Sequence, residues 1–147
     1  MGGEQSSGTV SVILLDTHVL LWLANNDARL GEQAHIVIKE AAASRVIAVS
    51  AISFWEIGLL IEKQRISMPL QLTDFAALVS KRGIRVAPVN SRIAVESGSL
   101  PPGLHGDPGD RLIAATARAL ACTLLTSDTK LLDYSAAGHV EALDARL

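Results

Sequence analysis

Four acidic residues stand where acids are hard to explain. Asp16 follows the apolar run Ile13-Leu14-Leu15, and Asp128 follows Leu124-Leu125-Thr126-Ser127, so both sit where a buried strand should end. At about 100° per residue, Glu56 shares a helical arc with Ile52, Leu59 and Leu60, and Asp110 shares one with Ile113, Ala114 and Ala117. Both therefore project from apolar faces. Each acid also has a plain reading. Ser53 and Glu56 have capping-box spacing. Asp110 complements a helix dipole, Asp107 before Pro108 is a helix cap, and Asp128 suits a turn. These readings do not explain why two acids end strands while two face inward.

Four carboxylates gathered in one place repel one another, so some protonate unless a cation compensates. The histidines (His18, His35, His105, His139) are scattered and read as surface or packing residues, and there is one cysteine. Oxygen donors without a sulfur or imidazole cluster favour a hard dication, Mg²⁺ or Mn²⁺, over Zn²⁺. Such an ion activates water and steadies the charge that develops on a phosphodiester. The expected chemistry is hydrolysis with no covalent nucleophile, carried by Asp16, Glu56, Asp110 and Asp128. Thr17, Asp107, Thr126 and Ser127 are auxiliary candidates beside them. Arg111 and Arg118, two helical turns apart, are candidates for phosphate contacts. Trp22 and Trp55 read as helix packing rather than base stacking.

These residues need an alternating scaffold to meet. Strands are expected at residues 10–15, 45–49, 84–89 and 123–126, with a further one at 140–143. Helices are expected at 18–24 (capped by Thr17), 31–43, 51–63, 73–82, 91–97, 109–121 and 129–134. Connections too long for hairpins imply an α/β fold with a parallel central sheet of four to five strands flanked by helices. Pro88 places the third strand at an edge or its terminus. In such a sheet, ligands bind beyond the carboxyl ends of the strands, where Asp16 and Asp128 lie.

The length of 147 residues suits one domain over 10–147, with residues 1–9 a polar, disordered lead-in. A hydrophobic fraction of 49% with only 3% aromatics exceeds what a solitary domain needs and points to a partner-facing surface. A net charge of -2 gives no global attraction for a polyanion, so nucleic-acid contact needs a local basic patch or a metal. Cys122 alone excludes an internal disulfide. No signal-peptide pattern and no apolar run of about 20 residues is present, which fits a cytoplasmic protein with no membrane partner.

Four blocks carry a resemblance. Leu14-Leu15-Asp16-Thr17-His18-Val19-Leu20-Leu21-Trp22, Val49-Ser50-Ala51-Ile52-Ser53-Phe54-Trp55-Glu56-Ile57, Asp107-Pro108-Gly109-Asp110-Arg111-Leu112-Ile113-Ala114-Ala115-Thr116-Ala117 and Leu124-Leu125-Thr126-Ser127-Asp128 occur in this order. They resemble the motif blocks of PIN-domain proteins, most of all the VapC toxins of toxin-antitoxin pairs. The resemblance implies a metal-dependent endoribonuclease with Asp16, Glu56, Asp110 and Asp128 as its acidic quartet, leaving a 5′-phosphate and a 3′-hydroxyl. It also implies a homodimer held inactive by a VapB-type antitoxin, whose tail lies near the third and fourth helices. Two departures are the residues ahead of the first strand and Gly109, where many relatives carry a larger residue. Gly109 is expected to affect only local helix-start geometry.

Other classes fit less well. A dehalogenase-like phosphatase needs a second acid two residues after the first, and that position is His18. A phosphoacceptor receiver needs paired acids after the first strand, which Thr17 and His18 do not supply. A non-catalytic PIN-like module acting through dimer and antitoxin contacts is the alternative.

Overall fold

The apolar run ahead of Asp16 forms the shortest possible central strand, β1 (Ile13–Leu15), buried at all three residues. The structure, a computed structural model, describes residues 11–147. The expected lead-in at 1–9 and the start of the first expected strand lie outside the described residues. The chain continues through α1 (Thr17–Ala24), α2 (Glu32–Ala43), β2 (Ile47–Ser50), α3 (Ile52–Glu62), α4 (Leu72–Lys81) and β3 (Arg85–Ala87). It ends with α5 (Ser91–Gly98), α6 (Pro108–Ala119), β4 (Thr123–Thr126), α7 (Thr129–Ala136) and β5 (Ala142–Asp144).

All five strands pair in parallel, in the order β3-β2-β1-β4-β5. The pleat sends alternate residues to opposite faces. Ile13, Leu15, Ile47, Val49 and Leu125 pack under α1 to α4, whereas Leu14, Ala48 and Leu124 pack under α6 and α7. Both faces are therefore covered, which is why these strands read as continuous apolar runs rather than alternating ones.

The third strand is shorter than expected, Arg85–Ala87 against 84–89, and two strand starts shift for local reasons. The strand expected from residue 45 begins at Ile47, because Arg45 takes φ 58 and Val46 N–H donates to Ala41 O at 2.9 Å, closing α2. The last strand runs from Ala142 rather than from residue 140, its register set by pairing with Leu124. Pro88 follows β3, which is an edge strand as its chemistry demands.

From β1 the chain moves outward through β2 and β3, then returns to the other side of β1 for β4 and β5. The carboxyl ends of β1 and β4 therefore border the switch point where an open parallel sheet forms its crevice. Asp16 and Asp128 are the residues that leave these two ends.

The start of α2 has no side-chain cap. Instead Gly31 N–H donates to Ala145 O at 2.8 Å and Ala34 N–H donates to Leu147 O at 3.0 Å. The tail lies so close that a Cβ on Gly31 would stand 2.0 Å from Leu147 O. Gly31→Ala is expected to destabilise the protein by about 1–3 kcal/mol, the usual cost of overpacking. A lowered urea midpoint with an unchanged slope is the signature, and an unchanged midpoint would contradict the close approach.

Candidate active site

Asp16 is the N-cap of α1, and its carboxylate accepts from Thr17 N–H at 2.8 Å. Thr17, expected as the cap, is instead the first helical residue, because Asp16 keeps the extended backbone and its own carboxylate accepts from Thr17 N–H. The other Asp16 oxygen accepts from the Thr126 hydroxyl at 2.6 Å, and Thr126 Oγ1 in turn accepts from Asp128 N–H at 3.0 Å. One buried hydroxyl thus ties the ends of β1 and β4 together. Asp128 caps α7, accepting from Lys130 N–H at 2.8 Å. Asp107 caps α6, accepting from Gly109 N–H at 2.9 Å and Asp110 N–H at 3.2 Å.

Three of the acids are therefore helix caps. Capping does not compete with a site here, because a carboxylate has about four lone-pair positions and a cap uses one or two. It fixes the carboxylate and points three helix N-termini, each with partial positive charge, at one place.

Glu56 arrives differently. Ser53 and Ile57 form the buried side of α3, while Trp55, Glu56, Leu59, Leu60 and Lys63 line the cleft. The arc that sequence periodicity assigned to the core is thus the cleft wall. The capping-box reading fails, since α3 starts at Ile52 after an uncapped Ala51 and Ser53 lies inside the helix. Thr17 donates its hydroxyl to Glu56 Oε1 at 2.5 Å, and Ser53 Oγ lies 2.8 Å from the same Thr17 oxygen.

The second Glu56 oxygen rests against Gly109, where an ideal Cβ would stand 2.1 Å from it. The absent Cβ is a seat for the carboxylate, so Gly109 matters beyond the local helix-start geometry expected of it. In this position Glu56, Asp107 and Asp110 each offer an oxygen within 4.8 Å of the others. Asp16 and Asp128 line the same cleft of about 390 Å³.

Burial raises the Glu56 carboxyl to about 7, opposed by the Thr17 hydrogen bond and reinforced by Asp16, Asp110 and Asp107. Asp110 is raised to about 6, by burial first and then by Asp107, Asp128 and Asp16, with Lys130 opposing. Asp16, only 7% exposed, is also raised by burial, against the pull of its Thr126 and Thr17 hydrogen bonds. These groups share an electrostatic deficit that a cation would relieve. The donors are all oxygen, converge on one cleft and include a carboxylate seated by a missing Cβ, which fits a hard dication.

Other expected residues fall elsewhere. Ser127 is half-buried and does not line the cleft. Arg111 donates to Ser97 O at 3.0 Å and Leu104 O at 2.9 Å, pinning the loop before α6. Arg118 donates to Glu96 at 2.9 Å and His139 O at 2.5 Å. Neither lines the acidic cleft. Helical spacing placed them on one side of α6, but that side packs against α5 and the following loops. Trp22 is buried as expected, whereas Trp55 is 50% exposed on the cleft wall.

Lys130, Lys63 and Arg65 were not among the expected site residues, and Gly109 was expected to affect only local helix-start geometry. Lys130 Nζ lies 3.6 Å from Asp110 Oδ2, and its place two residues after Asp128 was a signal. Gly109 carried one too, because glycine is a poor choice in the first turn of a helix without a packing reason.

An acid-lined cleft at the switch point of a five-stranded parallel sheet defines a class of α/β proteins before any relative is consulted. Residues 13–137 match the family model described as "PIN domain". The chain belongs to the PIN-domain family. It is 32% identical over 122 residues to Ribonuclease VapC22 of Mycobacterium tuberculosis, covering 83% of this chain and 91% of that one. Its fold is similar to that in a crystal structure of VapBC2 from Rickettsia felis bound to a promoter DNA fragment, with 19% identity and a TM-score of 0.65 over 89% of this chain and 96% of that one. It is similar again to DNA-bound VapBC from Salmonella typhimurium, with 18% identity and a TM-score of 0.63 over 92% and 98%.

The raised carboxyls set a pH dependence. The folded protein holds protons that the unfolded chain has released above about pH 4, so metal-free stability is fullest below that value and is lost as pH rises toward 7. Thermal melts in chelator should show this decline between pH 4.5 and 7.5, and Glu56→Gln should flatten it. A flat wild-type profile would contradict the burial of these groups.

Gly109→Ala is expected to leave the fold at least as stable, since alanine is the better helix residue by up to about 1 kcal/mol. It should nevertheless weaken Mn²⁺ binding about tenfold by unseating Glu56, as read by titration calorimetry beside a melting curve. Undiminished Mn²⁺ affinity would show that the seat is dispensable.

Proposed function

We propose that this protein is a metal-dependent endoribonuclease, the toxin of a toxin-antitoxin pair, with Asp16, Glu56, Asp110 and Asp128 as its working carboxylates. The observation that carries the reading is the convergence of those four acids, with Asp107, on one cleft, where burial first and neighbouring carboxylates second raise the carboxyls of Asp16, Glu56 and Asp110. Family membership and the similarity to Ribonuclease VapC22 support it.

Mg²⁺ or Mn²⁺ is the ion we assign. Asp16, Glu56, Asp110 and Asp128 would hold it, with Asp107, whose carboxylate lies within 4.8 Å of those of Glu56 and Asp110, beside them. When bound, the ion supplies a polarising charge for the phosphodiester and makes a nearby water more acidic. The protein's own residues do the positioning. Thr17 N–H and Thr126 Oγ1 hold Asp16 in one orientation, Thr17 Oγ1 and Gly109 hold Glu56, and the three helix N-termini favour anionic groups in the cleft. Lys130 stands at the lip, where it can meet a phosphate oxygen or Asp110.

The partner we assign is a VapB-type antitoxin, with a homodimer as the working assembly. An apolar groove of about 490 Å³, lined by Leu21, Trp22, Leu60, Met68 and Phe75 among others, shares His18, Leu60 and Arg65 with the acidic cleft. A peptide in that groove would end beside the carboxylates. The structural relatives, VapBC complexes, support this assignment. No helix among the described residues is long and apolar enough to cross a membrane.

Asp16→Asn keeps a capping oxygen but removes the charge. It is expected to lower Mg²⁺- or Mn²⁺-dependent RNA cleavage by about 100-fold or more, with circular dichroism unchanged. Excess chelator should abolish cleavage by the unaltered protein. Full cleavage under either condition rules the reading out.

A further inference from the structure

One wall of the cleft carries groups that the carboxylates do not use. Trp55, Leu59 and Lys63 recur at intervals of four in α3, so they stand one above another on the same face, and all three line the cleft. The Trp55 indole is 50% exposed, although aromatic side chains gain more from burial than any other type. It adjoins Glu56 in sequence and borders the carboxylates in space.

Lys63 and Arg65 are exposed and form no salt bridge among the described residues, whereas Arg29, Arg118 and Arg146 are each paired with an acid. Arg65 is brought to the cleft by the left-handed residue that closes α3, as such a residue also closes α1, α2 and α6. Gln64 takes φ 58, a left-handed conformation that disfavours a residue with a Cβ. Gln64 N–H donates to Ile61 O at 3.0 Å and Arg65 N–H to Leu60 O at 2.9 Å, folding the chain back on α3. The result is a strip with an aromatic face beside the acids and two unpaired cations at its far end.

We infer that Trp55, Lys63 and Arg65 form a track along which single-stranded RNA reaches the carboxylates, one base stacking on Trp55 and phosphates meeting Lys63 and Arg65. The inference rests on the ribonuclease reading above. Eight residues of helix separate Trp55 from Lys63, about 12 Å. One strand rises roughly 3.4 Å per nucleotide in a duplex, so the strip serves a few nucleotides. A base offers its face to an indole only when it is unstacked, which selects single strands, loops and ends over duplex. With a net charge of -2, the chain must attract a polyanion locally, and Lys63 and Arg65 line the acidic cleft without a salt-bridge partner among the described residues. The apolar groove is lined by neither Trp55 nor Lys63, whereas Arg65 lines both surfaces and stands where the strip meets the groove.

The test uses the full chain carrying Asp16→Asn, in Mg²⁺, with a fluorescein-labelled single-stranded oligoribonucleotide of mixed sequence. Adding Trp55→Ala is expected to weaken binding about tenfold. Adding Lys63→Ala with Arg65→Ala should weaken it similarly at 0.1 M salt and reduce the salt slope by about 1.4. Lys39→Ala, which removes an exposed charge outside the cleft, serves as the control and should do neither. Indole fluorescence should be quenched by RNA in the Asp16→Asn protein and not when Trp55 is also replaced. A duplex of the same sequence should bind at least tenfold more weakly. In the active background the same substitutions should raise KM more than they lower kcat. Unchanged RNA affinity in both variants, or equal binding of duplex, overturns the track and leaves this wall to a protein partner. If the unaltered protein cleaves normally while the variants show no change in KM, only the track fails; if it cleaves no RNA, the ribonuclease reading itself fails.

Discussion

The burial of Asp16 sets the terms for the rest of the molecule. A carboxylate that is 7% exposed, at the end of a strand covered on both faces, needs every available hydrogen bond. It receives one from the start of its own helix and one from Thr126 on the neighbouring strand. The second of these draws in Asp128, because the same Thr126 oxygen accepts from the Asp128 amide. Removing the hydroxyl would leave a buried acceptor and a backbone donor without partners at once. The strand ends, the caps of α1 and α7 and the floor of the cleft are therefore one hydrogen-bonded unit.

Around that unit, stability and chemistry make opposite demands. Packing α3 and α6 over the sheet buries Glu56 and Asp110 in the same cleft as Asp16, and burial, more than repulsion from neighbouring carboxylates, raises all three carboxyls. A fold selected only for stability would separate such charges or replace them. Helix N-termini, the Thr17 hydroxyl and Lys130 lessen the repulsion without cancelling it, while the seat at Gly109 keeps Glu56 among the other acids. The remaining deficit would favour a dication in the cleft.

Structural and chemical roles also coincide in single residues. Asp16, Asp107 and Asp128 are each a helix cap and a wall of the cleft. A reading that treats capping and ligation as rivals misses this, because one carboxylate can serve a backbone amide with one lone pair and face a cation with another. Arg111 and Arg118 show the reverse, since their apparent availability on a helix surface ends in contacts that pin neighbouring loops.

The sequence by itself determined the parallel α/β architecture, the elements carrying the four acids and their common edge. Burial on both faces forces continuous apolar strands, and an acid after such a strand must lie at the rim. It was also enough for the family, because the spacing of the four blocks records the order in which strands deliver acids. Only the tertiary structure decided which face of α3 meets the cleft, that Gly109 seats Glu56, and that Trp55, Lys63 and Arg65 line the wall while the two arginines of α6 do not. Helical periodicity says which residues share a side, and it is silent on what that side will touch. That depends on how the helices pack across the sheet, a set of long-range contacts that no local pattern encodes.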